Sequence, residues 1–243
     1  MGGERPARRW SDATTDLRDF AFLTWAVDPE RVQRLLPEGF TLDVRAERAL
    51  VSMVSFYDHR FRFRCAPFAP LSCGQVNYRT YVRHAGESGV WFFGTSLDSR
   101  LVSVPRVLWK MPWHRTRMRL DASWDGETCR SWRLDASGRW GAAAVTLRGT
   151  RRPMPAVSGC EGAAMSSVLC DPYVGWYART DGSGPGRYSV WHEPLVLEDA
   201  RVDEARVGVL TGSGLIGDGE PPAAAGVQRL VRFDVHTPPV RVR

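Results

Sequence analysis

The segment from Arg115 to Arg148 limits the fold more than any other part of the chain. Three runs of mixed polar and apolar residues, Arg115–Trp124, Thr128–Asp135 and Trp140–Arg148, are divided by Asp125-Gly126 and Ser137-Gly138. Strand side chains alternate between two faces, and Gly-containing dipeptides supply the positive φ that tight hairpins need. The segment therefore reads as a three-strand meander. Similar runs occupy Phe20–Val27, Ala49–Tyr57, residues 73–83, Val90–Ser96, Arg187–His192 and Leu230–His236, with Gly86-Glu87-Ser88-Gly89 as a hairpin turn. Between Thr41 and Arg64 the pattern is strand-like, with a turn at Arg45-Ala46-Glu47-Arg48.

Helical signals are few. Asp28 can cap a short helix with Pro29 at its first position and Val32, Leu35 and Leu36 on one face. From Asp98 to Trp109 the period changes: Leu101, Val104, Leu108 and Met111 recur at helical spacing, with Pro105 in the first turn or at a kink. Ala163–Tyr177 reads as a short helix broken by Pro172, and Thr211–Gly226 as a loop. Many strands with a few short helices predict an α+β, mostly β single domain over residues 17–243, after a polar, flexible N-terminal arm at 1–16.

Composition narrows the classes of function. Apolar residues make up 43% of 243 residues, enough for a sizeable core. No apolar run reaches the ~20 residues of a membrane helix, and no apolar stretch follows the basic start, so a cytoplasmic protein with no membrane partner is expected. The five cysteines form no Cys-x-x-Cys pair and read as reduced structural thiols, and no metal-ligand spacing is present. The net charge of +6 is carried by arginine, with Lys110 the one lysine. Arginines alternate with acids along the chain, so nucleic-acid binding is not expected. A nucleophile elbow, a P-loop and a dinucleotide-binding turn are all absent, and no cofactor is expected.

The most informative run is Gln75-Val76-Asn77-Tyr78-Arg79-Thr80-Tyr81-Val82. Alternation puts Gln75, Asn77, Arg79 and Tyr81 on one face. Such a row can face water, or it can look into a curved sheet and orient a ligand. The apolar runs on either side place this strand mid-sheet, which favours the inward reading. On a second strand, Tyr188, Val190 and His192 share a face, and His192 is the histidine best placed for proton transfer, beside Glu193. A buried structural histidine is the alternative. His59 and His114 are weaker candidates, and His84 and His236 are not candidates.

The run CGQVNYRTYVRHAGESGVWFFGTSLDS resembles the signature of the YqjF-like family, the domain of unknown function numbered 2071. AVDPERVQRLLPEGFTLDV, VPRVLWKMPWHRTRM and GRYSVWHEPLVLEDARV are similar to further segments of that family, in family order. The resemblance implies an acetoacetate decarboxylase-like fold: an open, cone-shaped β-barrel with short helices and an internal cavity. Decarboxylases of that superfamily form a Schiff base on a lysine in a Pro-Lys-Lys motif that follows an Arg-x-x-Trp run. Arg106, Trp109 and Pro112 match the Arg, Trp and Pro, so Trp113 and His114 stand where the lysines would be, and Gln75 falls near a glutamate. Lys110 is out of register; it reads either as a cavity amine or as a surface lysine.

Together these readings predict a small-molecule enzyme of lyase, isomerase or cyclase type, in specialised metabolism. Arg79 would hold a carboxylate or enolate oxygen, Tyr81 and His192 would move protons, and Lys110 is the candidate amine. Gln75, Asn77, Phe92, Arg106 and His114 would contact substrate. A non-catalytic binding protein on the same cup, and an interaction protein with exposed Trp residues, are the alternatives. A homo-oligomer fits any of the three.

Overall fold

The computed structural model describes residues 5–155 and 173–242. The strands are β1 (Ala13–Val27), β2 (Thr41–Leu42), β3 (Ala49–Phe63), β4 (Leu71–His84), β5 (Glu87–Leu97), β6 (Trp113–Asp125), β7 (Thr128–Gly138), β8 (Gly141–Pro153), β9 (Val174–Ala178), β10 (Pro185–His192), β11 (Glu198–Val207) and β12 (Ala224–Arg241). Helices are short: α1 (Pro29–Gln33), α2 (Ser103–Trp109) after a single 3-10 turn, and α3 (Gly208–Gly212). The chain is mostly β, and all twelve strands belong to one sheet.

Pairing returns on itself. β4 pairs β5, then β9, β10, β12, β1, β3 and β4 again, a closed circuit of hydrogen-bonded neighbours. A second path leaves β5 through β6, β7, β8 and β11 and rejoins at β12. The long strands β1, β3 and β4 are shared by both. Their alternating faces therefore feed two apolar clusters. One contains Leu23, Trp25, Met53, Val76 and Tyr78 with Trp132, Leu134, Val145 and Leu147 of the second path. The other lies inside the circuit and contains Phe20, Phe22, Leu50, Val54, Phe56, Tyr81 and Phe92.

Alternation changes phase once along β1. Leu17 and Phe20 both enter the inner cluster although they differ in parity. The change is made at Asp19, where φ is +52° and the pairing with β3 shifts register. The second path braces this bulge: Trp132 Nε1 donates to the Asp19 carbonyl at 2.7 Å, and Trp124 Nε1 to its carboxylate at 2.7 Å. Burial pushes the Asp19 carboxyl above its ordinary pKa, against the Trp124 hydrogen bond and the charges of Arg18 and Arg229.

Several expectations need revision. β1 begins at Ala13, inside the stretch read as an arm, and Arg5 and Arg8 hydrogen-bond Asp234 of β12. The hairpin turn falls at Ala85-Gly86, both with positive φ, rather than at 86–89. Val174–Ala178 is a strand, not the end of a helix; the rest of that expected helix lies outside the described residues. The last strand runs from Ala224 to Arg241, and α3 stands in part of the expected loop. The helix after Asp98 exists, but three of the four residues of its expected apolar face look outward: Leu101, Val104 and Leu108 are exposed, while Met111, just past the helix, is buried, as are Val102 and Pro105. Periodicity there reports a stripe, not the side on which the body lies.

Gly175 of β9 sits where Phe92 of β5 passes over to stack on Tyr188 of β10, ring centroids 5.8 Å apart. A Cβ at Gly175 would lie 2.6 Å from Cε2 of Phe92 and 3.2 Å from the Tyr188 ring. Neither rigid ring can yield cheaply inside the circuit. Gly175→Val is expected to cost about 1–3 kcal/mol, as overpacking does, read as a lower denaturation midpoint at unchanged m value.

Candidate functional site

The β4 row points inward. Gln75, Asn77 and Tyr81 are buried, and Arg79 is half-buried. Direct cross-strand partners share a face, so the pairs Phe56↔Gln75, Val54↔Asn77 and Ser52↔Arg79 place β3 residues beside the row. On the other side Gln75 faces Leu97, Asn77 faces Thr95 and Arg79 faces Phe92. The β4 strand does lie mid-sheet, between β3 and β5.

Buried polar groups require partners, and these have them. The Gln75 amide donates to Asn77 Oδ1 at 3.0 Å, and Thr95 Oγ1 donates to the same oxygen at 2.9 Å. The Tyr81 hydroxyl and Ser52 Oγ are 2.8 Å apart, Ser52 donates to Thr24 Oγ1 at 3.0 Å, and Thr24 to the Val51 carbonyl at 3.2 Å. This is a chain of three hydroxyls ending on backbone. The Arg79 guanidinium lies 5.9 Å from the Phe22 ring centre and 5.7 Å from that of Tyr81, within cation–π range. Burial pushes the Tyr188 phenol up, while the Arg79 charge pulls it back. Arg79 and Tyr188 therefore share one environment.

Arg79 is six positions along β4 from Cys73, about 20 Å at the usual strand rise. The inner wall is thus longer than a small metabolite, and its ends differ. At the far end β3 contributes Asp58, opposite Cys73. Thr15 Oγ1 donates to Asp58. Burial raises the Asp58 carboxyl to about pKa 6, opposed by the Thr15 hydrogen bond. Burial, with Asp58 and Asp98, lifts the Cys73 thiol to about 12, so Cys73 is a thiol, not a thiolate nucleophile.

His192 lies one row beyond Asp58, whose own partner in β1 is Leu17; the two are linked through Thr15, which hydrogen-bonds Asp58. It is buried, stacks on Phe233 at 4.2 Å, and Phe233 is paired with Thr15. Its Nδ1 lies 2.7 Å from the Glu193 carbonyl, which fixes the tautomer with the proton on Nδ1. Tyr81 and Arg79 sit in other rows. The structure therefore brings Gln75, Asn77, Arg79, Tyr81, Phe92 and His192 onto one wall but not into one cluster.

Two expected site residues lie elsewhere, and a third, Lys110, sits at the end of α2. His114 pairs with Ser96, whose β4 partner is Val76, so it belongs to the opposite face, 5.6 Å from the Trp140 ring centre. Burial lowers its pKa, helped by Arg106 and Arg139. Arg106 is on the exposed side of α2. Lys110 caps α2 in the left-handed conformation, φ +57°, and its carbonyl accepts the Thr180 N–H at 2.9 Å. Trp113, by contrast, pairs with Thr95 beside Asn77, on the inner wall.

Sequence reasoning missed Asp58, Ser52, Thr24 and Thr95. Parity along β3 puts Ser52, Val54, Phe56 and Asp58 on one face, so Asp58 was available to the same alternation argument that selected the β4 row.

The fold is that of the acetoacetate decarboxylase-like proteins. Acetoacetate decarboxylase from Legionella pneumophila superposes with a TM-score of 0.65 at 14% identity, over 98% of this chain and 92% of its own. The enduracididine biosynthesis enzyme MppR gives 0.62 at 9% identity, over 95% and 86%. An acetoacetate decarboxylase-like enzyme from Sphingomonas wittichii gives 0.61 at 12% identity, over 97% and 94%. The model of the DUF2071 family, described as an uncharacterized conserved protein, matches residues 14–230, and the chain belongs to that family. The uncharacterized protein YqjF of Bacillus subtilis is 30% identical over 110 residues, 44% of this chain and 46% of YqjF, so the match covers less than half of that relative.

A carboxyl with a folded-state pKa near 6 and an ordinary unfolded value near 3.9 favours the unfolded state once both have ionised. Stability should fall as pH rises from about 4 to about 6 and then level off. Asp58→Asn keeps an acceptor for Thr15 and should remove that slope, gaining about 3 kcal/mol at neutral pH. Urea denaturation across this range measures it; a slope unchanged in the variant would assign the pH dependence to other groups.

Proposed function

We propose that the circuit of strands is the open cone of this superfamily and that its interior binds a small carbonyl compound bearing a carboxylate. We further propose that the protein acts on it by acid–base chemistry, without a cofactor and without a Schiff-base lysine. The observation that carries this reading is the inward row of Arg79 and Tyr81, with the Tyr81 hydroxyl on the Ser52–Thr24 chain.

Arg79 would hold the carboxylate or the enolate oxygen, since charge-assisted hydrogen bonds strengthen as negative charge develops in a dry site. Tyr81 would give or accept the proton, and the hydroxyl chain would hold its position. Gln75 and Asn77, already locked to each other and to Thr95, would fix the substrate's orientation. His192 would serve a substrate long enough to reach the Asp58 end of the wall. Phe92 with Tyr188 would form the apolar side. Trp113, on the inner wall where the resemblance puts a lysine, offers no amine, which supports stabilisation by hydrogen bonds and charge over covalent catalysis.

The same fold holds pyruvate in MppR, so pyruvate is a usable probe. The protein is expected to speed deuterium exchange of the pyruvate methyl protons, followed by NMR. Arg79→Ala should lower that rate about a hundredfold, the usual loss for one oxyanion donor. Tyr81→Phe should slow exchange while leaving pyruvate affinity nearly unchanged. Borohydride treatment with pyruvate should leave Lys110 unmodified. Full exchange in Arg79→Ala would remove the proposed role of Arg79, and an adduct on Lys110 would replace acid–base catalysis by imine chemistry.

A further inference from the structure

Seven of the thirteen exposed large apolar side chains among the described residues fall in three neighbouring segments. Trp10 is 77% exposed, Phe68 84%, and Val107 and Leu108 of α2 64% each, with Leu101, Val104 and Leu71 also exposed. These residues come from three separate segments that meet. Arg64 N–H donates to the Asp12 carbonyl at 2.8 Å, joining the Trp10 segment to the end of β3. Phe63 of β3 lies 6.3 Å from the Trp109 ring at the end of α2, and Phe61, 5.2 Å from Phe63, is paired with Leu71.

The rim these segments form is also one-sided in charge. It carries Arg60, Arg62, Arg64, Arg100, Arg106 and Lys110, and between His59 and Met111 the chain has only two acids, Glu87 and Asp98. Glu87 is bound to Arg187. On β6, β7 and β11, by contrast, arginines are neutralised by aspartates two residues on: Arg119–Asp121, Arg133–Asp135 and Arg201–Asp203. The excess of positive charge is thus local to the apolar rim.

We propose that this rim docks on an anionic membrane surface, the apolar side chains entering the headgroup region and the arginines meeting lipid phosphates. A bilayer suits protruding side chains on a turn and a short helix, whereas a protein hot spot needs a socket. The cleft of about 440 Å³ that begins at Asp98, before α2, is lined by Asp98, Arg115, Thr116, Arg117 and Ser137, none of them apolar. A second copy would bring like charges together across the rim. None of the described helices is long and apolar enough to span a bilayer, and the attachment proposed is peripheral. The proposal stands against the expectation, drawn from the sequence, of no membrane partner.

Vesicle co-sedimentation of the full chain tests the idea. Binding is expected to vesicles of equal parts phosphatidylglycerol and phosphatidylcholine, not to pure phosphatidylcholine, and should weaken as salt rises. Arg62→Gln with Arg100→Gln should cost about fivefold per charge removed. Phe68→Ser with Leu108→Ser should cost at least as much; all four side chains are exposed, and circular dichroism verifies the fold. No binding to the anionic vesicles, or binding that both double variants retain, overturns the proposal. So does a dimer in sedimentation equilibrium that Leu108→Ser dissolves. Retention on an acidic polypeptide resin that depends on Phe68, with none on vesicles, would overturn it by assigning the rim to an acidic protein.

Discussion

A strand has two faces, and in β1, β3 and β4 both are buried. That constraint organises the molecule. Each of these strands must supply one apolar set to the packing against β7, β8 and β11, and a second set to the interior of the circuit. Cross-strand register keeps the two sets apart: Phe22, Val54 and Asn77 line up on one side, and Leu23, Met53 and Tyr78 on the other. A slip of one residue would exchange them and drive Arg79 into the other core. The bulge at Asp19 is the one controlled change of phase in β1, and it is held by two tryptophans of the second path.

Alternation made the β4 row legible in the sequence, because four polar residues at every second position need only a local rule to be placed together. Its burial was also inferable, since the runs on both sides are apolar on both parities. Pairing was not legible. Nothing local says that β10 pairs β12, or that β5 runs parallel to both β6 and β9. Without those pairings His192 could be given a face but no neighbours, and Asp58 could not be set beside Thr15. The stripe on α2 failed for a related reason. Helical spacing of Leu101, Val104 and Leu108 defines a face, but only tertiary packing decides whether that face is covered, and here Val102 and Pro105 meet the body instead.

An inward polar row costs stability unless its members satisfy one another. Asn77 shows how this is done: its Oδ1 receives both Gln75 and Thr95, so the amide pair is fixed before any ligand arrives. The Tyr81–Ser52–Thr24 chain is similar, since each hydroxyl gives its hydrogen bond to the next and the last ends on a carbonyl. Such groups are held in place before any ligand arrives, and fixed position is what proton transfer asks of a side chain.

The two ends of the inner wall carry opposite electrostatic character. Arg79 is cationic and flanked by Phe22, Tyr81 and Phe92, side chains that exclude water and strengthen its field. Asp58, about 20 Å along the strand direction from it, is held by a hydroxyl rather than by a cation, so burial leaves it close to neutral at mildly acid pH. Under the proposed function, a ligand with one carboxylate would meet a gradient that turns the carboxylate toward Arg79 and its uncharged part toward Asp58 and His192. Short substrates would engage the Arg79 end alone. Only a longer one would bring both titratable groups of the far end into play, so on this reading substrate length, set against the spacing of β4 residues, decides which side chains take part.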